Sequence, residues 1–341
     1  MKIKYASPCI EQDDINAVAA VMQSGWLTQG PKTQEYEEAF AERVGAKYAV
    51  ACSSGTAALH LACMAVGVHA DDHVVIPPIT FVATRNAVNI CGTSPQYADV
   101  DVDTLLVNPV AVRGFCVRVF IPVDYAGQPC SYDDLYPCAF HMVADACHSL
   151  GATYKGKPVG SLANITCFST HAIKSIATGE GGMCATDDGD YADYMREMRQ
   201  HNRGQDSPGY NYRLTEMQAA LGISQLKKLD RFLERRQEIA DRYRRAFANV
   251  KGISCLHQHS NRTSANHLFV IVCDNRDRMA AALKEKDIET RVHYPCLSPD
   301  CPVACRMAQK ILSIPIHCML SNSDVDFVIE AIKEVSDEKM Q

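Results

Sequence analysis

A chain of 341 residues that is 47% hydrophobic and 22% charged has the composition of an ordinary folded protein, which excludes intrinsic disorder and fibrous repeats. A net charge of -6 without a long run of Lys and Arg lacks the clustered cations that neutralise phosphates, so no nucleic-acid partner is expected. No apolar run reaches the roughly 18 residues of a membrane span, and the start MKIKYASPCIEQDD has no signal-peptide apolar region; the expectation is a cytoplasmic protein with no membrane partner.

In chain order, short β-rich runs alternate with helical stretches through the first half, the pattern of crossover units on a mainly parallel sheet. Tyr48–Cys52 reads as a strand, and 55–66 (GTAALHLACMAV) as a helix opened by small polar residues. A strand at 73–76 leads through the loop PPITFVAT to a helix from Arg85. Further strands fit 96–98, 117–123, 141–144, Ile165–Ser169 and Gly182–Thr186, each closed by a polar or Gly-rich turn. From 191 to 249 the pattern is helical, with a break at 204–210 (GQDSPGY). The basic cluster at 231–245 alternates with Glu234, Glu238 and Asp241 and reads as a solvated helix face with ion pairs. The remainder, with KGISCL, HLFVIVC, a helix near 277–286, ETRVHY and a closing helix from Ser323, reads as a small α+β unit.

Sixteen cysteines are scattered without a CxxC pair, and Cys52, Cys63, Cys167 and Cys273 sit in apolar patterns. Reduced core thiols are expected. His293, Cys296, Cys301 and Cys305 form the one stretch where a metal site is conceivable, but it lacks the paired ligands of a zinc motif, and no metal is expected.

Two residues carry the strongest chemical signal. Asp145 ends a strand in VADACH, and Lys174 lies in FSTHAIKSIATGEGG. Both fall at the carboxyl edge of the expected sheet, where open α/β sheets place ligands. A lysine bounded by Ile173, Ile176 and small residues is partly desolvated, which lowers its pKa and makes its amine a competent Schiff-base nucleophile. A carboxylate across the site would keep a pyridine nitrogen protonated and preserve the ring as an electron sink. Taken singly, the pair also fits an exposed lysine and a structural aspartate. In SSGTAALHLA a strand runs through Ser53 and Ser54 into a helix opening near Gly55 and Thr56, whose free N–H groups and dipole favour a phosphate. The same turn can be an ordinary N-cap. Phe81, in the loop after the next strand, could stack on a flat ring or fill a core.

LTQGP, SGTAALHLA, ITFVAT, ADVD, VDYAGQP, ADACHSLGA, VGS, CFSTHAIKSIATGEGG, NYRLTEMQAALGISQL and RVHY together resemble, nearly end to end, the DegT/DnrJ/StrS sugar aminotransferases. The resemblance implies an α/β fold type I transferase dependent on pyridoxal 5'-phosphate (PLP): an aspartate-aminotransferase-like mixed, mostly parallel sheet with helices on both faces, plus a small C-terminal α+β domain. The division expected is a large PLP-binding domain at 1–235 and a small domain at 236–341. By the same resemblance Lys174 holds the cofactor as a Schiff base and shuttles protons, Asp145 faces the pyridine nitrogen, and His148 lies near the phenolic oxygen. Phe81 would stack on the ring, and Gly55, Thr56 and Ser169 would bind the phosphate. Asn211 would reach that phosphate from the neighbouring subunit, which implies a homodimer with shared active sites. HAIK, LTQGP and YASPCI are most similar to the pseudaminic acid branch. That branch implies L-glutamate as donor and the 4-keto group of a UDP-linked 4-keto-6-deoxy-N-acetyl sugar as acceptor; the partners expected are L-glutamate and a UDP- or dTDP-linked 4-keto-sugar, used in ping-pong half-reactions. Tyr5, Thr28, Gln29, His293 and Tyr294 are the substrate-side candidates.

The chain departs from the family pattern in two places. The segment between Asp103 and His141 is abridged, which predicts a thinned helix layer, and the stretch after RVHY is compressed on the substrate side. Two alternatives follow. One is a catalytically silent cofactor-binding or regulatory relative, against which the intact cofactor-facing positions argue. The other is a PLP-dependent sugar dehydratase, in which histidine replaces the lysine that this chain retains as Lys174.

Overall fold

The computed structural model describes residues 2–113, 117–202 and 208–337. The first part of the break expected at 204–210 lies outside the described residues. Two helices that no pattern above singles out open the chain, Gln12–Ser24 and Pro31–Val44. The first is bracketed by a Glu11/Asp14 capping box and by Gly25 in the left-handed region at φ 73°; the second begins with Pro at its first position after Gly30. These are ordinary start and stop devices, satisfying amides and carbonyls that the helix itself leaves open.

The central sheet has seven strands in the order Tyr48–Cys52, Gly182–Thr186, Ile165–Ser169, Ala139–Asp145, Val117–Phe120, Val74–Ile76, Gln96–Tyr97. All neighbours pair in parallel except at Gly182–Thr186, which runs antiparallel to both strands beside it. Helices cover both faces, so the central strands read as apolar runs rather than alternating ones. Every residue of Ile165–Ser169 and Gly182–Thr186 is buried. Helix Gly55–Ala65 lies in the core beneath one face, with Ala58, Leu61, Ala62 and Cys63 fully inaccessible.

Three boundaries differ from the sequence expectation, each for a local reason. The helix expected from Arg85 begins at Val82, with Phe81 as its extended N-cap at φ -67°, ψ 144°. The strand expected at 117–123 ends at Phe120, because Pro122 has no amide to continue the ladder and offers only its carbonyl, to Asp145 N at 2.8 Å. The next strand runs further than 141–144, from Ala139 to Asp145. Among the described residues of the abridged segment, helical cover consists of two four-residue α-helices, Pro109–Val112 and Tyr132–Leu135, and two three-residue 3-10 turns, Tyr125–Gly127 and Tyr136–Cys138. Phe140 is left 79% exposed.

A second sheet, antiparallel in the order Ile253–Cys255, Phe269–Cys273, Ile311–Ile314, packs on helices Arg276–Glu285 and Asn322–Asp337. The run ETRVHY is not a strand of it; Arg291 exchanges two backbone bonds with Ser313 at 2.8 and 3.1 Å and the chain then turns toward the large sheet. Helix Leu229–Phe247 carries expected ion pairs, Arg235–Glu238 at 2.5 Å and Arg244–Asp241 at 3.1 Å, while Arg231 pairs outside the helix with Glu11 at 2.7 Å. Arg236 corrects the reading of a wholly solvated face: it is buried, and its guanidinium donates to the carbonyls of Asn266, His267 and Ile316 at 3.3, 3.4 and 2.9 Å. Cys52, Cys63, Cys167 and Cys273 are buried cysteines outside any disulfide. No helix among the described residues is long and apolar enough to cross a membrane.

Candidate active site

Three chain segments end at one edge of the large sheet. Strand Ala139–Asp145 delivers Asp145, strand Ile165–Ser169 delivers Ser169, and strand Tyr48–Cys52 passes through Ser53 and Ser54 into helix Gly55–Ala65. Ser54 caps that helix, its hydroxyl accepting from Ala57 N at 3.1 Å and its carbonyl from Ala58 N at 3.0 Å. The amides of Gly55 and Thr56 precede these bonds at the positive end of the helix dipole, which suits an anion. Space is the reason for glycine here. A Cβ on Gly55 would lie 2.9 Å from Ser169 Cβ, and one on Gly182 would lie 2.2 Å from Ser54 O.

Lys174 sits in the loop that joins Ser169 to Gly182. The loop is closed by Thr170 N to Gly181 O, Ala172 N to Gly179 O and Thr178 N to Thr170 O, at 2.9, 2.8 and 2.8 Å, with Lys174 N bonded to His171 O at 2.8 Å. These bonds fold the loop back over the sheet edge. Lys174 then faces a pocket of about 410 Å³ lined by Gly55, Thr56, Thr80, Phe81, Asp145, Cys147, His148, Ser169, Glu180, His293 and Tyr294, among others.

Its electrostatics are those of a desolvated amine. Part of the Lys174 side chain remains open to the pocket, yet burial lowers its pKa from the ordinary lysine value, with the Cys147 thiol and the Asp145 carboxyl opposing. Asp145 is buried; Oδ2 accepts from the Thr84 hydroxyl at 2.7 Å and Oδ1 from Cys147 N at 3.2 Å. Thr84 accepts in turn from buried Thr80, at 2.7 Å. The direction of this hydroxyl chain is set by its end, since an ionised carboxylate can only accept. His148 is held well below the usual histidine pKa by burial, then by Lys174 and His293, and is neutral at physiological pH. Its Nε2 is 3.1 Å from Tyr294 Oη, and its buried Nδ1 has no partner among the described residues. Burial, with Lys174 and Arg291, pushes His293 down to about 4.

Of the residues singled out from the sequence, the structure brings Lys174, Asp145, Gly55, Thr56, Phe81, His148, Ser169, His293 and Tyr294 to this one pocket. Tyr5 stands behind it, its ring 5.3 Å from that of His293. Thr28, Gln29 and Asn211 lie elsewhere in the single chain: Thr28 bridges to Thr215, Asn211 to Gln200, and Gln29 lines a separate cavity of about 610 Å³ with Arg196 and Arg199. The sequence reading missed Thr80, Thr84, Tyr125 and His267. Tyr125 is buried and its hydroxyl donates to the His293 carbonyl, while His267 packs 4.5 Å from the His148 ring. ITFVAT and VDYAGQP contain Thr80, Thr84 and Tyr125, but nothing local in those runs names their partners. Among the described residues no cluster of three or more His, Cys, Asp or Glu side chains could hold a metal ion.

A phosphorylated pyridine fits what is present. A phosphate matches the first-turn amides beside Gly55, a ring matches the slot under Phe81, and the orphaned His148 Nδ1 matches a polar substituent on the ring. A mixed seven-stranded sheet with one antiparallel strand, and a lysine on the loop entering that strand, defines the class of fold type I PLP-dependent transferases. Residues 8–333 match the DegT/DnrJ/EryC1/StrS aminotransferase family, and the chain belongs to it. It is 36% identical to the spore coat polysaccharide biosynthesis protein SpsC of Bacillus subtilis, over 98% of this chain and 97% of that one. Among solved structures it is similar to Helicobacter pylori PseC, an aminotransferase involved in the biosynthesis of pseudoaminic acid, with a TM-score of 0.94 and 28% identity over 99% of this chain and 100% of that one. It is equally similar to Spr1654 of Streptococcus pneumoniae, named as a sugar aminotransferase, in its PLP form: TM-score 0.94 and 28% identity over 99% of each chain. The protein is a sugar aminotransferase by family, and the family uses PLP.

Proposed function

We propose that this enzyme moves an amino group from L-glutamate to the keto carbon, C4, of a UDP- or dTDP-linked keto-deoxy-sugar, in two half-reactions that use the same pocket in turn. The observation that carries the reading is the buried Lys174 amine in one enclosure with Asp145 and the helix amides at Gly55 and Thr56. When bound, the cofactor supplies a carbon that carries the amino group and a ring that takes up electrons. Lys174 anchors it, and its Nζ, whose pKa burial lowers from the ordinary lysine value, takes and returns the proton. Asp145, braced by Thr84, offers the ring nitrogen a charge fixed in position. The amides of Gly55 and Thr56, with Ser169, hold the phosphate. Phe81 and Tyr294, with ring centres 5.8 Å apart, wall the pocket against water on the acceptor side, where His293 completes the surface.

Tyr5, Thr28 and Gln29 are proposed on the substrate side, and Asn211 is proposed to serve the phosphate of a second subunit in a homodimer. The division into domains at 1–235 and 236–341 belongs to the same reading, with helix Leu229–Phe247 spanning the junction. The test is incubation with glutamate and a panel of UDP- and dTDP-linked 4-keto-sugars, read by mass. Amination of at least one sugar with parallel initial-rate lines is expected; no product from any of them would put the silent relative ahead.

A further inference from the structure

Cys296 and Cys305 take no part in the chemistry proposed above, yet their sulfurs are 3.2 Å apart. A disulfide, at about 2.05 Å, requires them to close by little more than about 1 Å. Both are partly accessible. Among the described residues, Cys52 with Cys184, Cys167 with Cys184 and Cys63 with Cys91 are thiol contacts that each include a sulfur sealed in the core, and the partly accessible Cys9 and Cys318 interact away from the pocket lining. The sulfurs of Cys296 and Cys305 ride on different supports. Cys305 belongs to helix Pro302–Ala308, whose first turn is pinned by Asp99 accepting from Val303 N and Ala304 N at 2.9 Å each. Cys296 follows two residues after Tyr294 in the pocket wall, and its neighbour Leu297 donates to Pro78 O at 2.9 Å, at the root of the loop that carries Phe81. Ser298 O accepts from both thiols, at 3.0 and 3.2 Å.

We propose that Cys296 and Cys305 form a reversible thiol–disulfide site, oxidised by a low-molecular-weight disulfide, whose closure fixes the pocket wall that bears Tyr294. Cys305 attacks the oxidant, forming a mixed disulfide and releasing one thiol that carries away its proton. Cys296 then attacks the Cys305 sulfur, the second thiol leaves with the Cys296 proton, and the protein has passed two electrons and two protons to the reduced oxidant. Cys296 is the resolving partner because burial, then its contact with the Cys305 sulfur, pushes its thiol up to about 12. Oxidation removes both S–H donors from Ser298 O and ties the wall to a fixed helix, so the segment loses freedom at the point where it borders the pocket.

The test equilibrates the full-length holoenzyme in glutathione buffers of graded oxidised-to-reduced ratio, quenches by alkylation, and maps the digested protein by mass. Expected is a linked Cys296–Cys305 peptide in oxidising buffer that returns to two alkylated thiols in reducing buffer, with roughly tenfold slower amide exchange over 293–300 in the linked form. Cys305→Ser and Cys296→Ser should show neither change. Both cysteines remaining alkylatable in the most oxidising buffer, or a link that leaves exchange unchanged, overturns the proposal. Neither readout depends on turnover, so an enzyme that aminates no sugar leaves this result intact.

Discussion

At the scale of single residues, the pocket concentrates its chemistry in Lys174 and its precision in groups that never touch it. Lys174→Ala should reduce amination by at least roughly 10²-fold, measured as initial rates with a sugar accepted by the wild type; retention of half the rate would remove Lys174 from the mechanism. The Thr84 hydroxyl is the second case. Thr84→Val leaves Asp145 Oδ2 without its buried donor. Hydrogen bonds to charged groups contribute about 1.5–3 kcal/mol. Fluorescence titration of the apoprotein should therefore show PLP bound roughly ten- to a hundredfold more weakly, with Thr84→Ser restoring it. Wild-type affinity in the valine variant would show that Asp145 holds its place without the hydroxyl chain.

Between elements, much of the fold is stitched by side chains that satisfy the ends of other elements. Glu216, the first residue of helix Glu216–Leu226, accepts from Lys32 N and Thr33 N at 2.8 Å each and so caps helix Pro31–Val44 from a distance of 183 positions in sequence. Glu216→Ala should cost about 2 kcal/mol in urea unfolding; a change below about 0.5 kcal/mol would mean that water replaces the cap. Such links explain what the sequence discloses and what it hides. Strands Tyr48–Cys52, Ile165–Ser169 and Gly182–Thr186 were legible because burial on both faces writes an apolar run into consecutive residues. The placement of Asp145 was legible because it ends a strand, and that of Lys174 because its loop leaves the next strand at the same sheet edge. Helix Gln12–Ser24 buries only Asp14 and Val21, so it leaves no apolar stripe to read. Thr84 was hidden because its partner is 61 positions away, and the start at Val82 was hidden because β-branched residues are weak helix formers that packing here overrides. Thr28, Gln29 and Asn211 lie away from this pocket in the chain, bridged to Thr215, lining another cavity and bridged to Gln200, and nothing local in their runs names those places.

For the molecule as a whole, the pH dependence of stability is a contest between carboxyls of opposite sign. Burial pushes up the Glu216 carboxyl, but the Thr33 hydroxyl and the amides of Lys32, Gly30 and Thr33 outweigh it and hold it below its ordinary value. Its contribution is present above the unfolded pKa and lost as pH falls through the folded one. Asp124 behaves in the opposite sense. Sealed in the core beneath the pocket, it accepts from Ser149 Oγ at 2.7 Å, Cys130 N at 2.8 Å and Tyr132 Oη at 3.0 Å, and burial still raises it to about 6. The folded state then holds this proton more tightly than the unfolded chain. Its contribution is full below the ordinary carboxyl value and is lost as pH rises through about 6. The unfolding free energy of the wild type minus that of Asp124→Asn should therefore fall by about 2 kcal/mol between about pH 4.5 and about pH 7.5. A flat difference would show that its three donors fully offset its burial.

The antiparallel strand also bears on how the protein is made. Gly182–Thr186 is the strand that joins Tyr48–Cys52 to the rest of the sheet, and it leaves the ribosome more than a hundred residues after its partner. Until it arrives, the apolar edge of the first strand and the helix amides at Gly55 have nothing to close against, and a nascent chain carries an open hydrophobic edge through much of its synthesis. The same insertion places the lysine loop. The pocket groups are therefore brought together only when the sheet is complete, and any ligand that binds this assembled set stabilises the finished fold by mass action against proteolysis and aggregation.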